Sequence, residues 1–394
     1  MERIEVGERR ARIGRRHRLA PSCQAADPVQ AAEALVVLHA TDPATVHLSV
    51  AARVPGSEVA GTERALYDDR TLIRMLGMRR TVFVAPTHFA PVIQAACTDD
   101  IAVKQRKLLV KHLTEAGIGG DAAGKWLQAV EESTATALTL RGSATANELS
   151  ADEPRLRSRL TMAEGKSYAA QPYVTSRVLF QLAAEGRIVR GRPLGTWLSG
   201  QHQWSPAENW LPGGLGDKLP AEDARAELAK AWLGSFGPGT AADLQWWSGW
   251  TMGQTRKALT AVEAVEVDLD GATGYVLPGD EEPDAELEPW VALLPALDAT
   301  PMGWKERDWY LGDYKPQLFD NTGNVGPTVW ANGRIVGGWG QPETGEVRFK
   351  LLEDVGAEAT NAIGAEAAKW TSWLAGVRVT PRFRSPLEKT LSQG

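Results

Sequence analysis

The stretch "LVVLHATDPATVHLS", residues 35–49, gathers three side chains able to do chemistry: His39, Thr41 and Asp42. A neutral imidazole, with a reference pKa of about 6.5, can accept a proton from water. A threonine hydroxyl is no base at neutral pH, but it can position a water. The Asp42 carboxylate can stabilise a developing cation or orient His39. Each residue also has a structural reading. His39 follows Val29, Ala32 and Val36 at helical spacing, which puts it on an apolar helix face. Asp42 before Pro43 carries the signature of a helix N-cap. Thr41 serves equally well in capping. His47 and Ser49 lie on the helix that follows and default to structure. His88, His112 and His202 are isolated, with no metal-ligand spacing, so no metal or cofactor is expected.

The elements around this knot set its position. Asp27-Pro28 starts a helix through about residue 38, and Asp42-Pro43 starts a second. "DDRTLIRML" (68–76) reads as a third, closed by Gly77, and "MRRTVFVAP" (78–86) as a strand. Two later segments repeat this order more regularly. "GSATANEL" (142–149) and "GPGTAADL" (237–244) share Gly-x-x-Thr-Ala-x-acid-Leu. In each, Thr caps a short helix and the acid three residues on completes a capping box: Thr145 with Glu148, Thr240 with Asp243. "TSRVLFQLAAEGRIVRG" (175–191) then reads as a helix ended by Gly186, with a strand beyond. "GQTRKALTAVEAVEVDLDGATGYVLP" (253–278) reads as a helix and a hairpin turning at Asp270-Gly271. Helix, short helix, longer helix, hairpin is the winged-helix order.

From about residue 288 short apolar runs alternate with Gly, Pro and Asn turns, "NGR" at 332–334 among them. A helix (358–376) and the strand "VRVTPRF" follow. The expectation is an α+β chain of three tandem winged-helix modules and a small antiparallel β-barrel. The boundaries are a basic arm (1–26), module one with trailing helices (27–120), module two (121–220), module three (221–287) and the barrel with a C-terminal helix (288–394).

Composition narrows the function classes. The chain has 394 residues, is 43% hydrophobic and carries a net charge of −6. No apolar run reaches membrane-spanning length, and no secretory leader is read at the N-terminus. Cys23 and Cys97 are the only cysteines, too few for a disulfide framework or a thiolate zinc site. A cytoplasmic monomer is expected. Acidic net charge argues against a dedicated nucleic-acid binder, yet distribution matters more than the sum. Arginines crowd residues 9–18, three further basic clusters follow, and acid collects in "GDEEPDAELEP" (279–289). The candidate DNA contacts are Arg70, Arg79 and Arg80 in module one, and Lys166, Arg177, Arg187, Arg190 and Arg192 in module two. The module-three wing is acidic and is not expected at phosphate. Most of the fifteen Trp are assigned to packing.

With "LLPALD" and "ANGRIVGGW" added to tandem winged helices, the chain resembles the bacterial winged-helix DNA glycosylases of AlkZ and YcaQ over nearly its whole length. That resemblance implies excision of bulky alkylated purines (N3 or N7 adducts), with interstrand crosslinks as candidate substrates. It also implies double-stranded DNA as partner, in repair or in self-resistance to a DNA-alkylating antibiotic. Asp298, Trp304, Arg307 and Arg334 fall at matched positions and are carried over as DNA-contact candidates. The family's catalytic signature, Gln-apolar-Gln or Gln-apolar-Asp, falls where this chain has His39-Ala40-Thr41. The alternatives are a non-catalytic DNA-binding protein, regulator or damage binder, and a winged-helix protein that binds another protein.

Overall fold

The computed structural model describes residues 2–160 and 171–393. The basic N-terminus is folded in. A short strand β1 (Glu2–Arg3) pairs in parallel with β7 (Val265–Leu269), and helix α1 (Val6–Arg16) follows. Arg12, only 2% exposed, pairs with Glu8 and Asp280, and Arg16 pairs with Asp280 at 2.7 Å. The acidic run therefore neutralises Arg12, Arg15 and Arg16, whereas Arg9 lies over the Trp309 ring and Arg10 donates to the Trp309 carbonyl.

Helix α2 (Pro28–Glu33) is capped by Asp27, which accepts from the amides of Val29 and Gln30. It ends five residues before the expected limit near 38. Val36 takes a left-handed φ of 64°, and the chain leaves as strand β2 (Leu38–His39). His39 therefore sits on a strand and not on a helix face. Helix α3 (Pro43–Ala51) starts at the Asp42 cap, as expected. Helix α4 (Val59–Glu63) runs on through a wide π turn to Asp68.

The expected third helix over 68–76 is corrected. Residues Leu72–Leu76 form strand β3, which pairs antiparallel with β4 (Val82–Pro86). All five β3 residues are buried and only Arg74 interrupts the apolar run, so periodicity alone cannot separate strand from helix. Arg79 and Arg80, at φ 54° and 62°, make the turn. The sheet order is β2-β4-β3. Short helix α5 (Ala90–Ile93) and long helix α6 (Asp99–Glu115) trail behind.

The repeated segments share one element order. Helices α7 (Ala123–Arg141), α8 (Ala146–Asp152) and α9 (Thr175–Ala184) lead to the hairpin β5 (Ile188–Pro193) and β6 (His202–Pro206). After α10 (Ala207–Trp210), helices α11 (Ala221–Phe236), α12 (Ala241–Ser248) and α13 (Met252–Ala261) lead to β7 and β8 (Ala272–Val276). Both capping boxes form, Thr145 with Glu148 and Thr240 with Asp243. The repeated leucines Leu149 and Leu244 are fully buried and anchor the two short helices to their cores.

No closed barrel forms among the described residues. The C-terminal strands β9 (Val291–Leu294), β10 (Thr328–Ala331), β11 (Arg334–Gly340) and β12 (Arg348–Leu351) make an open sheet of order β12-β11-β10-β9. Two short helices, α14 (Asp308–Leu311) and α15 (Lys315–Leu318), bridge β9 and β10. Helix α16 (Gly356–Leu374) packs Ile363, Trp370 and Leu374 onto the sheet around Val336 and Trp339. "VRVTPRF" is not a strand. Its backbone is taken up by side chains: the Val379 amide donates to Gln341 and the Arg382 amide to Asp42. Helix α17 (Pro386–Ser392) closes the fold. No helix of the described residues is long and apolar enough to cross a membrane.

Candidate active site and nucleic-acid interface

The knot is held from both sides. His39 pairs across the sheet with Phe83, and Phe83 with Met75, so the three side chains share a face. The imidazole meets the Phe83 ring edge-on at 5.4 Å. The Thr41 amide donates to His39 Nδ1 at 3.5 Å, a long contact that places the proton of the neutral ring on Nε2. Burial, with the Arg79 charge adding to it, lowers the His39 pKa to about 3, against an opposing pull from Asp298. His39 is therefore neutral near pH 7 but a far weaker base than the reference value implies. Such a ring suits neutral hydrogen bonding better than proton abstraction.

Asp42 is committed to the backbone. One oxygen accepts the Ala44 amide at 3.2 Å and the other the Arg382 amide at 2.9 Å. This is the capping role that the Asp-Pro pair announced. Thr41 is half-buried, and its carbonyl accepts from Arg382 Nη1 at 3.3 Å. Its hydroxyl makes no hydrogen bond among the described residues, which leaves it available to a water.

A cationic shelf lies beside the knot. The Arg79 guanidinium stacks on Trp246 at 4.0 Å, and Arg307 on the same indole at 4.7 Å. Arg307 also covers Phe319 at 5.3 Å. Neither arginine has a carboxylate partner among the described residues, and Arg79 Nε is buried without a partner. Burial first, and the Arg307 charge second, lower the Arg79 pKa to about 10, so it stays charged at pH 7. Two like charges on one indole favour an arriving anion. Reading the sequence found Arg79 and Arg307 separately. It missed Trp246, because nothing in "QWWSGW" tells which ring faces outward.

The other candidates are dispersed. Arg70 donates to the Trp210 carbonyl at 2.6 Å and lies over that ring. Arg80 is exposed, near Phe180. Arg177 is half-buried on α9. Arg187 pairs with Glu132, and Arg192 with Glu63 and Asp68. Arg190 lies over Trp204 at 5.3 Å. Lys166 lies outside the described residues. Arg334 is tied to Glu353. Asp298 and Trp304 are core residues. Asp298 is fully buried, receives both Nη atoms of the equally buried Arg53 at 2.8 and 2.9 Å, and accepts from Ser49. Trp304, 2% exposed, donates to the Phe236 carbonyl. A side chain with no exposed surface cannot meet DNA, so these two hold the frame.

The family described as "DNA glycosylase AlkZ-like" matches residues 32–373, most of the chain. The solved structure of the Streptomyces sahachiroi DNA glycosylase AlkZ superposes with a TM-score of 0.73. That match is 20% identical and covers 96% of this chain and 99% of that one, so it shows a shared fold. A search of the curated proteins found no match. The family match spans the knot, its sheet and both shelf arginines, and the chain belongs to the AlkZ-like DNA glycosylase family.

Proposed function

We propose that this chain hydrolyses the N-glycosidic bond of bulky N3- or N7-alkylated purines in double-stranded DNA, with His39 and Thr41 at the reacting sugar. One observation carries this reading: a neutral polar pair, His39 and a Thr41 hydroxyl without a partner among the described residues, lies beside a cationic shelf that has no carboxylate partner among those residues. An alkylated purine is already cationic. When its C1′–N bond breaks, the electron pair goes to the base and neutralises it, so no proton from the protein is needed. Water held by Thr41 then adds to C1′ and its proton passes to solvent. The products are the free base and an abasic sugar. His39 orients the knot through the Thr41 amide. Arg79 and Arg307 hold strand phosphates, whose charge offsets that of the arginines next to the developing sugar cation. We read the tandem helix-and-hairpin units as winged helices that together form one groove for the duplex.

The test is incubation with duplex containing N7-alkylguanine, scoring released base and abasic sites. No release with protein in excess over long times would sink the reading. A second reading, a non-catalytic binder of DNA, is favoured by the commitment of both Asp42 oxygens to backbone amides. It predicts a footprint with no base release.

A further inference from the structure

A second group of basic side chains lies on the face of the first sheet opposite His39. Arg74 stands in register with Val84 and Leu38, whereas His39 stands with Phe83 and Met75. Arg74 is only 6% exposed, yet it forms no ion pair or hydrogen bond among the described residues, and its Nε is buried and unpartnered. Two neighbours share that condition: His47 Nδ1 and the Tyr67 hydroxyl are also buried without partners, and the Arg74 charge acts on both. Arg190 and His202, from the hairpin β5–β6, feel the same charge. The nearby carboxylates, Glu63 and Asp68, are taken by Arg192 at 3.3 and 2.9 Å. Arg382 closes the group. It acts on Arg190 and reaches the knot by donating to the Thr41 carbonyl.

Buried polar atoms are ordinarily paired, and an unpaired buried charge is costly. Arg74 Nε, the Tyr67 hydroxyl and His47 Nδ1 gather beside the Arg190 guanidinium, a set of donors that suits an anion. We propose that Arg74, Arg190 and Arg382 form a binding site for a phosphate group, alongside the His39–Thr41 knot. Guanidinium groups suit this ligand because their N–H forks match phosphoryl oxygens. The Arg382–Thr41 contact favours a backbone phosphate of the DNA strand as the source. That source rests on the DNA-binding reading above; the anion site itself does not.

The test uses the full chain. Thermal unfolding is followed in inorganic phosphate and in chloride at matched ionic strength. Phosphate should raise the melting temperature of the wild type more than that of Arg74→Leu or Arg190→Gln; the general salting effect is common to all three. Arg74→Leu should itself melt higher than wild type in chloride, where a merely structural arginine would leave a less stable protein. Should Arg74→Leu not fold, Arg190→Gln and Arg382→Gln carry the comparison. Binding to undamaged duplex supplies the second arm: each variant should bind about tenfold more weakly, with a salt slope lower by about one. Equal phosphate responses in wild type and variants, with unchanged duplex binding, overturn the proposal. A phosphate response lost in the variants with duplex binding unchanged supports the site and assigns it to a free phosphate compound. Undamaged duplex keeps the result independent of base release.

Discussion

Asp42 and Arg382 lie at opposite ends of the sequence and meet through one hydrogen bond, from the Arg382 amide to the Asp42 carboxylate at 2.9 Å. The second Asp42 oxygen caps α3. One side chain thus fastens the C-terminal segment to the turn that carries His39 and Thr41. Asp42→Ala should lower stability by roughly 1–2 kcal/mol, the usual loss for a helix cap, measured by urea unfolding. Asp42→Asn keeps one of the two acceptor oxygens and should lose less. Excision by either variant should stay within a few-fold of wild type wherever the protein is folded. Collapse of activity at unchanged stability would move Asp42 from capping into the chemistry.

The buried histidines give the protein an acid limit. Burial lowers His17, His39 and His47 to about 3 and His202 to about 4. Unfolded histidines titrate near 6.5, so between that pH and the folded values the unfolded state binds more protons. Stability then rises with pH in this window and falls as pH drops below about 6.5. Each histidine contributes up to about 1.4 kcal/mol per pH unit. Urea unfolding at pH 7 and pH 5 should show the loss, and His47→Gln should flatten the slope by about one histidine's share. Equal stability at the two pH values would contradict the burial argument.

The Arg53–Asp298 pair is fully buried and joins the turn after α3 to the loop after β9. Removing one partner leaves a bare charge in the core. Asp298→Ala should therefore destabilise the protein by roughly 3–5 kcal/mol, whereas the double change Arg53→Met with Asp298→Leu should recover much of that loss. A small effect of Asp298→Ala on unfolding, with a large one on DNA affinity, would return Asp298 to the interface.

Local signals identify much of this architecture, and the elements they do not identify have physical causes. Thr145, Glu148, Thr240 and Asp243 mark helix starts because a capping box lies within four residues. Asp270-Gly271 and Asn332-Gly333 mark hairpins because they supply positive φ. Strand β3 was missed because it is buried on both faces, which erases the alternation that identifies a strand. The barrel expectation failed because runs of short strands do not say whether the edges close; here β9 and β12 remain edges. In the candidate site, the knot was legible as a polar break in an apolar run. Its partners were not. Arg382, Trp246 and Arg74 reach their places through tertiary packing, and no spacing in the chain links them to His39. The basic N-terminus was misleading in the same way: its charge is visible in the sequence, but its neutralisation by Asp280 is not.

The shelf arginines should govern affinity for DNA. Arg79→Ala and Arg307→Ala should each weaken binding to undamaged duplex across sequences and lower the salt slope by about one. Arg79→Lys keeps the charge but not the flat stack on Trp246, so it should fall between wild type and alanine. Trp246→Ala should weaken binding although it removes no charge, because both guanidiniums lose their support. Fluorescence anisotropy at several salt concentrations measures all four. Unchanged affinity in both alanine variants would place the DNA elsewhere.

The chemistry of the knot is testable at His39 itself. If this ring acts as a neutral hydrogen-bonding group, an amide should replace it. His39→Gln should keep base release within about tenfold of wild type, while His39→Ala should lower it by roughly a hundredfold, the lower end for a lost acid–base or positioning group. Both should bind duplex within a few-fold of wild type, because His39 is buried and carries no charge near pH 7. The pH profile separates this role from general-base catalysis. A ring titrating at about 3 is neutral at every pH from 5 to 9, so the single-turnover rate of the wild type should be flat over that range. A rate that climbs through pH 6.5 and loses its inflection in His39→Gln would make His39 a working base, and the depressed basicity inferred from its burial would be wrong.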